Sequence, residues 1–192
     1  KKYNMAYKIN RYWKNGKWSW DKVYSSAYGV YHTRFCLDFI LNNINKNPKT
    51  KRLNVLDIGG GMGRFAFPLI KKGYNVTVNE IDDNLIKHIK NIDPSITTIT
   101  GDFNLLNIKE DYDIIICIGT IKYMDEKLDH IFSKIYKALK PEGQVIFEMV
   151  NPTSFRKKIR NSKKYTTYDS EYPPNLVRKE LTKLGFENIY ME

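Results

Sequence analysis

The chain has 192 residues, enough for one domain with an appendage and for a buried core. Hydrophobic residues make up 42% of it, which excludes a disordered chain, and no apolar run approaches the ~20 residues of a membrane span. The net charge of +11 admits nucleic-acid or phosphate partners, although Lys, Asn and Ile are abundant throughout, as A/T-rich codon use alone would give.

In chain order, the start "KKYNMAYKINRYWK" has no apolar signal-peptide core and no initiator Met, so the chain is expected to begin inside a longer gene product. Residues 1–52 are aromatic-rich and helical in pattern, a cap set before the first strand. "LNVLDIG" (53–59) reads as a buried strand and Arg64 to Lys72 as a helix. "YNVTVNEI" (74–81) is a second strand, and "DDNLIKHIKNI" (82–92) is a helix with Asp82 as N-cap. "SITTITGD" (95–102) is a β-branched third strand, and "YDIIICIG" (112–119) is a continuously apolar fourth. "DEKLDHIFSKIYKALK" (125–140) is an amphipathic helix closed by "PEG", followed by a fifth strand, "QVIFEMV" (144–150). "PNLVRKELTKLG" (174–185) is a last helix with Gly185 as its stop, and "FENIYME" (186–192) reads as a sixth strand. This alternation predicts an α/β fold with a doubly wound, mainly parallel sheet and a helical N-terminal cap.

Cys36 and Cys117 make no disulfide framework, and no Cys/His cluster has metal-ligand spacing. A cytoplasmic setting with reduced thiols and no metal is the expectation.

"VLDIGGGMGRF" (55–65) crowds four glycines into five positions between a strand and a helix. Such a loop lets backbone N–H groups approach a nucleotide. The dinucleotide pattern G-x-G-x-x-G fails, because counting from Gly59 places Arg64 at the last glycine position. The pattern present is D-x-G-x-G-x-G: Asp57, Gly59, Gly61 and Gly63.

With those residues the chain resembles the class I S-adenosylmethionine-dependent methyltransferases. "YNVTVNEIDDNLI", "TGDFNLL", "YDIIICIGTIKYM" and "ALKPEGQVIFEMVNP" continue the resemblance in order from Leu53 to Pro152. It implies the strand order 3-2-1-4-5-(7)-6, S-adenosylmethionine as donor and S-adenosylhomocysteine as product. It divides the chain into a cap (1–52), a cofactor-binding core (53–152) and an acceptor-side basic insert with the last helix and strand (153–192). It also implies site roles. Glu80, at the end of the second strand, can accept from both ribose hydroxyls. Ile81 would pack on the adenine, Asp102 would accept from its amino group, and Phe103 offers its N–H or its ring. Asp57 orders the loop N–H groups, and Ile118 and Gly119 border the cofactor at the end of the fourth strand.

The acceptor side is less legible. Where relatives often carry a His, "GTIKYM" has Lys122 and Tyr123. His32 and Tyr123 are the catalytic candidates. Tyr24, Tyr28, Tyr31 and Arg34 are candidates for the acceptor rim, with Arg34 facing the methionine carboxylate. The reading is methyl transfer to an O or N atom of a small polar metabolite, without a membrane partner. An RNA or protein acceptor recruited by the six basic residues between Phe155 and Tyr165 is the second reading, and a non-catalytic binding module the third. The oligomeric state stays open, with a homodimer among the options.

Overall fold

A computed structural model describes residues 24–44, 52–124, 126–152 and 172–191. Helix α1 (Ala27–Asn43) begins at Ser26, whose hydroxyl accepts the Gly29 N–H at 3.0 Å, satisfying a donor that the first turn leaves open. There follow β1 (Asn54–Ile58), α2 (Ala66–Lys71), β2 (Asn75–Glu80), α3 (Asp83–Ile92), β3 (Thr97–Thr100) and β4 (Tyr112–Cys117). A short 3-10 turn (Ile121–Tyr123), α4 (Leu128–Ala138), β5 (Leu139–Phe147) and α5 (Pro174–Lys183) complete the described elements.

All strand pairs are parallel and the order is β3-β2-β1-β4-β5, as expected for the first five strands. Side-chain alternation divides the core. Leu56, Ile58, Ile115 and Cys117 face α4 and α5, packing with Ile131, Phe132, Val177 and Leu181. Val55, Val78, Ile114 and Ile116 face the other way, against Cys36 and Ile40 of α1, Leu69 of α2 and Ile89 of α3. Asp82 caps α3, accepting the Asn84 N–H at 2.8 Å, as its position predicts.

Two expectations are corrected. Helix α4 stops at Ala138, and "KPEG" loops out of β5: the ladder pairs Tyr112 with Leu139 and resumes with Ile114 opposite Gln144. More consequentially, residues 186–191 form no strand. In the expected order the sixth strand lies beyond a seventh, and none of the described segments occupies that position. Packing takes over. The Phe186 ring meets Phe132 and Tyr136 edge-on at 6.3 and 5.1 Å, and Arg178 donates to the Ile189 carbonyl at 2.9 Å. The helix stop is as read, with Gly185 at φ +93° and its N–H on the Thr182 carbonyl.

Candidate active site

The chain runs outward from β1 to β3 on one side and from β4 to β5 on the other. The carboxyl ends of β1 and β4 therefore flank the crevice where such sheets take ligands. The glycine loop leaves β1 there. The Gly59 and Gly60 N–H groups both donate to the Asn79 carbonyl, at 2.8 and 3.1 Å. The Asn79 side chain, itself buried, donates to the Ile99 and Gly101 carbonyls, joining the loop to the end of β3. Steric demand explains the glycines. A Cβ on Gly59 would lie 2.4 Å from Thr120, and one on Gly60 would lie 2.6 Å from Val78 and 2.9 Å from Asp57 Oδ2. Gly61 is different. Its φ is +58°, yet a Cβ there would meet nothing within 4 Å, so its open face is a cradle.

Three acids line this end of the sheet. Asp57 is 1% exposed, and its Oδ2 has no hydrogen-bond partner. Burial pushes its carboxyl up to about 7, with Arg64 opposing and Glu80 adding to the shift. Glu80 is also buried and its carboxyl is raised by desolvation, against three backbone donors. Its Oε2 accepts from Gly61 N at 2.9 Å, and its Oε1 from Ile81 N at 2.8 Å and Asp82 N at 3.1 Å. Ile81 is half-buried immediately after it. Asp102 accepts the Asn104 N–H at 2.9 Å, so it shapes its own turn. Phe103 is 3% exposed and belongs to the core with Met124, Leu128 and Phe132. Ile118 and Gly119 end β4, with Gly119 at φ +72°.

α1 brings in His32, and Tyr24 stands just before that helix. The Arg64 guanidinium lies 4.5 Å from the Tyr24 ring and 4.4 Å from the Phe65 ring. The Tyr24 hydroxyl is raised chiefly by burial, with Arg64 opposing the shift and Tyr123, Glu80 and Asp57 adding to it. His32 Nε2 is 2.9 Å from Glu148 Oε1, and Arg64 Nη1 is 3.4 Å from His32 Nδ1. Cys36 Sγ is 3.6 Å from His32 Nε2, its thiol pushed up to about 11 by burial and then by Glu148. Both Arg64 and Glu148 reach Gly119: a Cβ there would lie 3.7 Å from Arg64 Nη2 and 3.5 Å from Glu148 Oε2.

Some candidates do not join this group. Tyr28 is 59% exposed and stacks on His32; Tyr31 is 67% exposed and stacks on Phe35. The two tyrosines thus pair with residues four ahead and not with each other. Arg34 is exposed and stands two residues from buried Cys36, nearly the opposite side of the helix. The arginine at the crevice is Arg64. It had a signal, since it replaces the glycine that a dinucleotide loop would place there. Glu148 had none, being 116 residues from His32. The basic stretch 156–164 lies outside the described residues.

Residues 55–143 match the family model described as a methyltransferase domain. Over these residues the chain is similar to the class I S-adenosylmethionine-dependent methyltransferases. Residues 112–191 of the chain also match the model described as Bicoid-interacting protein 3. It is 27% identical over 152 residues to a ubiquinone biosynthesis O-methyltransferase of Rickettsia akari, covering 76% of this chain and 58% of that protein. To a malonyl-[acyl-carrier protein] O-methyltransferase of Priestia megaterium it is 27% identical over 121 residues, covering 61% and 44%. The chain thus spans less than two thirds of the length of these relatives. Among solved structures it resembles the magnesium protoporphyrin IX methyltransferase of Synechocystis with bound S-adenosylmethionine, with TM-score 0.73, 19% identity, and 96% and 88% of the chains covered. It also resembles phosphoethanolamine N-methyltransferase 2 of Haemonchus contortus, with TM-score 0.62, 20% identity, and 88% and 44% covered. These structures establish the methyltransferase fold of the chain.

The methyl donor of the family is S-adenosylmethionine, and the site fits it on its own evidence. A buried carboxylate oxygen lacks a partner at Asp57, and the loop leaves open space over Gly61. That space is testable. Gly61→Ala is expected to cost about 1 kcal/mol of stability through its positive φ, and to weaken donor binding about tenfold or more by filling the cradle. Thermal denaturation and calorimetry with S-adenosylmethionine measure the two effects separately. A large loss of stability with unchanged affinity would contradict the placement.

Proposed function

We propose that this chain transfers the methyl group of S-adenosylmethionine to an O or N atom of a small polar metabolite, a sugar, amine or hydroxyl compound. The observation that carries this reading is the convergence of Asp57 Oδ2, Glu80 and the open face of Gly61 beside the Tyr24–Arg64–His32–Tyr123 group. When bound, the donor supplies an activated methyl group on a sulfonium, already a good leaving group.

The chain's residues then position and exclude water. Asp57 faces the methionine amino end, and Arg64 its carboxylate. Glu80 takes the ribose hydroxyls, Ile81 and Asp102 flank the adenine, and Ile118 and Gly119 form the floor at the end of β4. Holding donor and acceptor in line supplies about 7–11 kcal/mol of the barrier reduction. Tyr24, His32 and Tyr123 border the acceptor.

The test uses donor labelled in the methyl group, with an extract of source cells split by size. Label in the metabolite fraction is expected. Label in the macromolecular fraction would overturn the small-molecule reading and favour RNA or protein recruited through the charge of residues 156–164, with nuclease or protease sensitivity naming the class. Donor binding without transfer to either fraction would overturn the enzymatic reading.

A further inference from the structure

His32 and Glu148 lie outside the donor-binding residues, and with Arg64 they form a cluster of definite proton arrangement. A guanidinium only donates, so the Nδ1 that Arg64 Nη1 approaches at 3.4 Å must accept. The ring proton then resides on Nε2 and is donated to Glu148 Oε1 at 2.9 Å. This order has a consequence for a metal. His32, Cys36 and Glu148 bring one ligand atom each within 4.8 Å of one another, as a small metal site would. With its proton on Nε2, however, His32 turns no lone pair towards the other two, and a neighbouring guanidinium disfavours a cation. The trio is not arranged as a metal-ligand set.

It is arranged as an oriented base. We propose that Glu148 is the positioning residue for His32, which takes the proton from an acceptor hydroxyl at Nδ1 during methyl transfer, with Arg64 covering Nδ1 until the donor is bound. The inference rests on the methyltransferase reading above and narrows its acceptor to a group that carries its proton into the site, a hydroxyl.

The balance is complete. The acceptor oxygen bonds to the methyl carbon, the carbon–sulfur bond breaks with its electron pair left on sulfur, and the hydroxyl proton goes to Nδ1. The imidazolium so formed lies against the Glu148 carboxylate, which stabilises it. Arg64 also reaches Gly119 at the end of β4, so the donor's carboxylate can draw the guanidinium off His32. Donor binding thereby uncovers the base. The other groups against the ring are the Cys36 thiol, held protonated, and the stacked Tyr28 on its own helix.

Three variants of the full chain test this: Glu148→Gln, His32→Gln and the pair. Each single variant is expected to lower methyl transfer to the metabolite fraction about 10–100-fold or more. Affinity for S-adenosylmethionine should stay within about twofold. The double variant should be no slower than His32→Gln alone, because the two residues act as a unit. Glu148→Asp should recover part of the rate. Multiplying losses in the double variant, or an unaffected Glu148→Gln, overturns the proposal. Ring-nitrogen NMR of the donor-free protein gives a check that needs no acceptor. The His32 proton is expected on Nε2, with its downfield hydrogen-bonded signal moved upfield in Glu148→Gln, whose amide oxygen is a weaker acceptor than the carboxylate. A proton on Nδ1 overturns the proposal even where transfer is seen. Absence of donor binding by the unmodified chain would instead sink the methyltransferase reading.

Discussion

Replacing Glu80 by alanine is expected to weaken S-adenosylmethionine binding about 100-fold or more. Two ribose hydroxyls lose a charged acceptor, and hydrogen bonds to charged groups contribute about 1.5–3 kcal/mol each. The structure adds a second reason. The carboxylate also gathers the N–H groups of Gly61, Ile81 and Asp82, so alanine leaves three backbone donors without it. A carboxylate has about four acceptor positions, and three are in use. Receiving both hydroxyls therefore requires one backbone donor to yield, and Gly61, the only one of the three on the glycine loop, is the one beside the open cradle. Glu80→Gln keeps one acceptor oxygen and should fall between the parent and Glu80→Ala. Calorimetry with S-adenosylmethionine decides it, and an unchanged affinity in Glu80→Ala would remove the ribose assignment.

Asp57 gives the second large effect, in stability as a function of pH. Its carboxyl is raised in the folded protein to about 7 from an ordinary value near 3.8. Below about pH 4 it is protonated in both folded and unfolded chains and costs nothing. Between about 4 and 7 the unfolded chain ionises while the folded one holds its proton, so stability falls as pH rises. Above 7 the full cost applies, about 4 kcal/mol. Asp57→Asn is therefore expected to be more stable than the parent at pH 8 without donor, by an amount that shrinks towards pH 5. Glu80, also raised, adds a slope of the same sign that the substitution leaves in place. Urea denaturation of both proteins at several pH values measures the difference. A constant gap from pH 5 to 8 would show that Asp57 does not ionise with this cost. The same substitution should weaken donor binding, since the anion is what the ligand's cationic amino group meets.

The strand ends that carry the proposed donor residues were legible because they are local in sequence. The glycines, Asp57, Glu80 and Asp102 each end a strand that the apolar pattern reveals. Even Asn79, which went unnoticed, was visible as a polar residue inside an apolar strand. His32 was named as a candidate, but its grouping with Arg64 and Glu148 was not legible, because the cluster is assembled across the chain. His32 is near α1's start, Arg64 opens α2 and Glu148 follows β5, so no spacing announces them. A helix pattern of α1 alone does not say which face meets the sheet, so the exposure of Arg34 was not readable from it. "FENIYME" failed for a different reason. A strand needs a neighbour as well as a propensity, and Phe186 finds aromatic partners on α4 instead.

Asn79 holds the glycine loop with its carbonyl and the end of β3 with its amide. The glycine loop and the end of β3 are thus bolted to one residue of the sheet, while His32 arrives on a separate helix. Natural variation can therefore work on the two halves unequally. Changes along the outer helix can exchange one acceptor for another without retuning the donor pocket, whereas a change at Asn79 disturbs both ends of that pocket at once. A laboratory search for new acceptors is best confined to the helix and should leave Asn79 untouched.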